Sequence, residues 1–334
     1  MPASPPVAAI LFGLAAAFGT ALPGTAGTLV RDTLPAAAHP ESRDRDYALY
    51  LPDGLPADGS AALVTVLHGC KQTQDDMLEQ TGFRALADVE GFAVLYPFIT
   101  SYDGRRSENC WGFWIDHHRH EGAGEPADLR RLIAAAETRA GTDPARRYVA
   151  GLSSGAAMSV VMAVAWSEDI AAAGAVAGLG YAEDAWAVRT LPGCSWPVWT
   201  DTPEEMVEEM RAEQDAPGED RLVPLMVMHS LNDCRVPVQN GQALAASWIR
   251  RYDALPDPVS QSDCSDDAIP CLQSRFEDAQ GREVLETVFF EGPDISGTHY
   301  WPGDGTGDYA RPEGPPAAQL LWAFFRDKRL DPAP

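Results

Sequence analysis

Basic residues are scarce in this chain. Lys and Arg number 25 against 49 Asp and Glu, a formal net charge of −24 at pH 7. Such a surface repels phosphate backbones and anionic headgroups, which argues against nucleic acid as a partner. The acids are scattered and form no tail, so they read as solvation rather than as a binding arm. No C-x-x-C pair occurs, so the cysteine spacings of zinc sites are missing. No Lys or Arg precedes Arg31, and the apolar run Val7 to Leu22 is shorter than the ~20 residues of a spanning helix. No internal repeat and no Thr-rich or Pro-rich linker interrupts the chain, so nothing marks a second folded domain.

What is present begins with that apolar run. Gly24 and Ala26 follow it at the small-residue spacing a signal peptidase reads, so residues 1–26 are expected to be a signal peptide. Residues 27–334 are then one domain, with no stable membrane anchor after processing. A membrane anchor is the competing reading, and no Cys stands directly after the leader to carry a lipid. Cys70, Cys110, Cys194, Cys234, Cys264 and Cys271 all lie past the leader, and an even count in an exported chain suggests disulfides. Sequence leaves their connectivity open. The pairings expected are Cys264 with Cys271, Cys70 with Cys110, and Cys194 with Cys234.

Short apolar runs alternate with helical patterns. Tyr47–Leu51 alternates and is expected as an edge strand. Ala62–Leu67, Phe92–Tyr96, Arg147–Ala150, Ala171–Ala177, Pro224–Met228 and Leu285–Phe290 read as strands, most of them covered on both faces. Met77–Val89, Asp128–Arg139, Ser154–Trp166, Gly241–Arg250 and Ala317–Phe325 read as helices. The rhythm predicts an α/β class, a mostly parallel sheet with helices on both faces. Two segments break it. Residues 179–222 read as an insertion over the sheet's carboxyl edge, and 257–279 as a polar loop stapled by cysteine.

The chemistry-bearing residues sit just after strands. Gly151-Leu152-Ser153-Ser154-Gly155 joins a strand to a helix, the context of a nucleophile elbow. The turn thrusts Ser153 above the sheet edge, and the Ser154 amide at the helix start can meet a developing oxyanion. Ser154 is the rival nucleophile but is off-centre in the motif. His229-Ser230-Leu231-Asn232-Asp233 follows the next apolar strand but one, and Asp233 is the candidate acid that orients a histidine. Gly297-Thr298-His299 follows the last strand, and His299 is the candidate base. The order Ser, Asp, His is that of the α/β-hydrolases. Leu67-His68-Gly69-Cys70 follows another strand, and the Cys70 amide is the second candidate oxyanion donor. His68 is expected to brace this loop. Trp111, Trp114 and Trp301 are candidates to line an acyl groove. His117, His118 and His120 beside Asp116 lack a clean tetrahedral spacing, so no metal is expected.

Together these stretches resemble the poly(3-hydroxybutyrate) depolymerase-type esterases, also called LpqC-like, of the α/β-hydrolase fold. The likeness runs from about Tyr47 to Gly303. Its most specific parts are Leu67 to Gln72, Asn109-Cys110-Trp111, Gly124-Glu125-Pro126, Gly151 to Met158, and His299 to Gly303. The resemblance implies a secreted carboxylic ester hydrolase that needs no cofactor. It carries the nucleophile to Ser153, the acid to Asp233, the base to His299 and the oxyanion loop to Cys70. Relatives include feruloyl and acetylxylan esterases, so the ester stays open. This chain has Ser154-Gly155-Ala156 where the family often has Ala-Gly-Gly, and Thr298-His299 where it often has Gly-His. No appended substrate-binding domain is seen, which favours oligomers or short soluble esters over solid polyester. A serine peptidase and a non-catalytic binding protein on the same scaffold are the rival classes.

Overall fold

The computed structural model describes residues 27–99, 108–184, 200–214, 221–266, 269–293 and 298–330. The expected signal peptide lies outside the described residues.

Ten strands form one sheet in the order β1-β2-β4-β3-β5-β6-β7-β10-β9-β8. They are β1 (Thr28–Leu34), β2 (Arg45–Leu51), β3 (Leu63–Leu67), β4 (Ala93–Pro97), β5 (Arg147–Leu152), β6 (Ala172–Val176), β7 (Leu225–Ser230), β8 (Ser260–Asp263), β9 (Cys271–Glu277) and β10 (Glu283–Phe290). The central six, from β4 to β10, run parallel. The pairs at either flank are antiparallel. Strands β3, β4, β6 and β7 are buried at every position, which is why they read as unbroken apolar runs.

Helices cover both faces. On one lie α3 (Gly124–Ala140), α4 (Ser154–Ala165), α5 (Pro203–Glu213) and α6 (Val238–Arg251), whose Leu132, Met158, Met210 and Trp248 share a core. On the other lie α1 (Gln74–Gln80), α2 (Phe83–Glu90) and α7 (Ala317–Phe325), with Met77, Phe83, Leu321 and Phe325 in a second core. Every residue of α4 is buried, as expected for a helix apolar all round. A small parallel pair, β11 (Trp301–Pro302) and β12 (Ala310–Arg311), follows β10.

Three expectations need correction. Tyr47–Leu51 is not an edge strand, because β1 pairs outside it along its whole length. β1 is mostly exposed and so gave no alternation to detect. Residues 257–279 are not a plain loop: they contain the β8–β9 pair, joined by the Cys264–Cys271 disulfide (Cα–Cα 4.9 Å). All four β8 side chains are exposed, and only backbone pairing makes it a strand. Met77–Val89 is not one helix. It breaks at Thr81-Gly82, where Gly82 adopts φ +73° and the Thr81 hydroxyl donates to the Met77 carbonyl at 2.6 Å.

The 179–222 segment lies between the end of β6 at Val176 and the start of β7 at Leu225. Its helix α5 starts with a capping box of Thr202 and Glu205 and packs on α6. Residues 185–199 and 215–220 lie outside the described residues.

Candidate active site

All four candidate loops leave the carboxyl ends of parallel strands: Cys70 after β3, Ser153 after β5, Asp233 after β7 and His299 after β10. In open α/β sheets that edge is where ligands are held.

Ser153 has φ +57° and ψ −118°, a conformation that non-glycine residues avoid. The sharp turn brings α4 hard against the sheet. A Cβ on Gly155 would stand 2.3 Å from the Leu67 carbonyl oxygen and 2.5 Å from that of His68. One on Gly151 would stand 2.5 Å from the Gly155 carbonyl carbon. Both glycines are therefore demanded by close backbone approach, which is the physical content of the Gly-x-Ser-x-Gly spacing. Among the described residues the buried Ser154 hydroxyl has no hydrogen-bond partner, and it is Ser153 that holds the positive φ at the turn.

The candidate acid and the candidate base meet. His299 Nδ1 donates to Asp233 Oδ2 at 2.7 Å, leaving Nε2 as the basic nitrogen. The other oxygen, Asp233 Oδ1, accepts from the amides of Arg235 at 2.8 Å and Val236 at 2.9 Å. The Asp233 side chain is fully buried and that of His299 is 11% exposed, so their contact is shielded from water. Among the described residues no hydrogen bond joins Ser153 to His299. Such contacts often tighten only when substrate binds.

The loops are tied to each other by residues that sequence reasoning had not assigned. Asn232 and Gly292 exchange hydrogen bonds, with Asn232 Nδ2 donating to Gly292 O at 3.2 Å and Gly292 N to Asn232 Oδ1 at 3.3 Å. The Thr298 hydroxyl donates to the Asn232 carbonyl. These bonds fasten the loop that carries Asp233 to the loop that carries His299. Asn232 stands inside the Asp233 motif, but its type alone does not disclose the partner.

The β3 loop passes directly beside the serine. A Cβ on Gly69 would stand 3.3 Å from Ser153 Cβ, which places Cys70 one residue from that contact. Among the described residues neither Cys70 nor Ser154 donates its amide to a backbone carbonyl outside helices and strands. The loop is braced as expected. The buried His68 Nδ1 donates to Gly69 O at 2.8 Å, and its Nε2 accepts from Ile99 N at 3.2 Å. Burial pulls the His68 pKa down to about 4, so the ring is neutral and cannot compete as a base near neutral pH. Gln72 holds the Gly69 amide at 2.9 Å, and the Cys70–Cys110 disulfide staples the loop to the next one (Cα–Cα 4.3 Å). Cys234 is also disulfide-bonded, and Cys194 lies outside the described residues.

The tryptophans divide. Trp111 is fully buried, donates from Nε1 to His68 O at 3.0 Å and packs on the His68 ring. Trp301 is buried against Phe83. Among the described residues neither presents a face to an open groove, so their burial departs from the expectation that they line one: large apolar rings here complete the second core and the loop's support. Trp114 is partly exposed and packs edge-on against Phe113.

His117 and His118 stay in edge-on ring contact at 4.3 Å, and the other contacts in this segment are separate. His118 Nδ1 accepts from the Glu125 amide at 3.0 Å, while Glu125 Oε2 accepts from Gly112 N at 2.7 Å, anchoring the segment that bears Cys110 and Trp111. His120 turns to Glu213 of α5 at 2.5 Å and to Asp116 at 3.2 Å.

Comparison with known proteins follows this geometry. A family model described as Esterase PHB depolymerase matches residues 45–257. The poly(3-hydroxyalkanoate) depolymerase C of Paucimonas lemoignei is 36% identical over 132 residues, 40% of this chain and 31% of that protein. Feruloyl esterase B of Neurospora crassa is 31% identical over 144 residues, covering 43% of this chain and 47% of its own. Acetylxylan esterase A of Emericella nidulans is 26% identical over 211 residues, covering 60% and 66%. The chain thus spans less than two thirds of the length of each of these relatives. Among solved structures, the acetyl xylan esterase from Aspergillus awamori superposes with a TM-score of 0.61 at 20% identity, over 79% of this chain and 92% of that one. That likeness concerns the fold, which is the α/β-hydrolase architecture.

Proposed function

The chain belongs to the esterase PHB depolymerase family, and from that premise we propose that it is a secreted serine carboxylic ester hydrolase. The single observation that carries the reading is the 2.7 Å contact between Asp233 and His299 at the same sheet edge as a strained Ser153.

In this reading Ser153 Oγ attacks the ester carbonyl carbon while His299 Nε2 takes its proton. Asp233 holds the imidazole in the required tautomer and stabilises the imidazolium. The carbonyl oxygen becomes an oxyanion facing the Cys70 and Ser154 amides, each such donor being worth roughly 3 kcal/mol. The C–O bond then breaks, and His299 returns the proton to the leaving alcohol. Water, deprotonated by His299, attacks the acyl-enzyme, and the acid leaves as Ser153 is re-protonated.

The substrate proposed is an oligo(3-hydroxybutyrate)-like or other short soluble ester, with feruloyl and acetylxylan esters as the alternatives that the curated relatives suggest. Export is supported by the disulfides Cys70–Cys110 and Cys264–Cys271. Among the described residues no helix is long and apolar enough to cross a membrane.

Ser153→Ala is expected to cut p-nitrophenyl butyrate turnover by about a millionfold with the fold intact. Activity surviving in that variant, with circular dichroism unchanged, refutes the assignment. A panel of 3-hydroxybutyrate oligomers, methyl ferulate and acetylated xylan ranks the substrates. Casein hydrolysis without ester hydrolysis would instead indicate a peptidase.

A further inference from the structure

Strand β7 ends His229-Ser230, and the chain then turns through Asp233 to Val236 before α6 begins. His229 is completely buried. Its Nε2 lies 2.8 Å from the Val236 carbonyl oxygen. A carbonyl only accepts, so Nε2 carries the ring proton and the bare Nδ1 is left, buried and without a partner. The same Nε2 is 3.7 Å from Asp233 Oδ2, the oxygen that receives the His299 proton donor. Helix α6 seals the ring from outside. A Cβ on Gly241 would stand 2.5 Å from His229 Nδ1, so only glycine lets the helix lie this close.

These contacts form a closed circuit. The Asp233 carboxylate holds the Val236 amide, the Val236 carbonyl holds His229, and His229 is fixed in β7. The imidazole therefore sets the position of the turn that presents Asp233. Its Nε2 also stands near the carboxylate without hydrogen-bonding to it. We infer that His229 is a positioning residue: it holds the Asp233 turn against the sheet so that the carboxylate meets His299. Burial favours the neutral ring this role needs, since it lowers the His229 pKa against the opposing pull of Asp233. A charged His229 would compete with His299 for the same oxygen.

The inference rests on the assignment of Asp233 and His299 made above. His229→Leu removes the donor. It is expected to lower kcat on p-nitrophenyl butyrate about tenfold to a hundredfold, with KM within about twofold. The acid limb of the kcat/KM profile should move to lower pH, because the His299 imidazolium loses part of its carboxylate partner. His229→Gln, whose amide N–H can reach the same carbonyl, should restore both the rate and the limb. In the unaltered enzyme, nitrogen-15 spectra of the histidines near about pH 7 should show His229 as the neutral Nε2–H tautomer. A folded His229→Leu with parental kcat and acid limb overturns the inference, as does a loss that His229→Gln leaves unrepaired. A protonated or Nδ1–H ring overturns it too, and needs no variant to fold. Asp233→Asn is assayed beside them. If it keeps parental activity the triad reading falls; if it loses about 10⁴-fold while His229→Leu is silent, only the role of His229 falls.

Discussion

Gly155 has no side chain to contribute, yet the site depends on it. A methyl at this position would press against two backbone oxygens of β3, at 2.3 and 2.5 Å, and backbone cannot step aside as a long side chain can. Gly155→Ala is therefore expected to destabilise the fold by about 3 kcal/mol, the upper part of the range for overpacking. Urea unfolding measures it, and a midpoint matching the parent's would show that α4 does not lie as close as described. The spacing Gly151-x-Ser153-x-Gly155 was readable because strain and close approach restrict residue type at those points. His229 was quoted within its motif but assigned no role. Its partners, Val236 O and Asp233, are named only once the turn is folded. Trp111 and Trp301 were misjudged for a related reason: a large amphipathic ring has the same letter in a groove and in a core.

At the scale of elements, buried strands and buried helices were legible and exposed strands were not. β8 has four exposed polar residues and exists because β9 offers it a backbone to pair with. Within the segment between β6 and β7, the Glu183 carboxylate is tied to Thr200 and Asp201. Glu183 is almost fully buried and accepts from the Thr200 hydroxyl at 2.6 Å and the Asp201 amide at 3.0 Å. Burial outweighs these bonds and pushes its pKa up to about 7. A raised carboxyl pKa means the native state holds a proton that the unfolded chain has released. Its contribution is thus lost as pH climbs from the ordinary value of 4.5 through about 7. Glu183→Gln carries no such proton, so its stability relative to the parent should rise across that window, by up to about 3 kcal/mol. Denaturant titrations at about pH 5 and about pH 9 make the comparison. An identical gap at both would mean the carboxyl is not protonated in the fold.

For the whole molecule the dominant property is the charge of −24. Many ion pairs cross the surface, such as Arg31–Asp75 and Arg250–Glu204, but exposed pairs contribute little. Unbalanced repulsion is the larger quantity, and salt screens it over a Debye length that shrinks from about 30 Å at 0.01 M to about 10 Å at 0.1 M. The thermal midpoint should therefore rise by a few degrees as NaCl goes from about 0.01 M to about 0.5 M. A midpoint that falls would mean the ion pairs outweigh the repulsion. Sequence by itself determined the α/β class, the succession of buried strands and helices along the chain, and that Ser153, Asp233 and His299 each stand in a loop after a strand, because burial on both faces and tight turns each restrict residue type locally. Only the tertiary structure decided that β1 and β8 extend the sheet, that Asp233 and His299 touch, and that His229 and Asn232 hold them. Hydrogen-bond partners 60 or more positions apart, as Asn232–Gly292 and Asp233–His299 are, leave no periodicity in the chain, and their geometry exists only after the strands beneath them have paired.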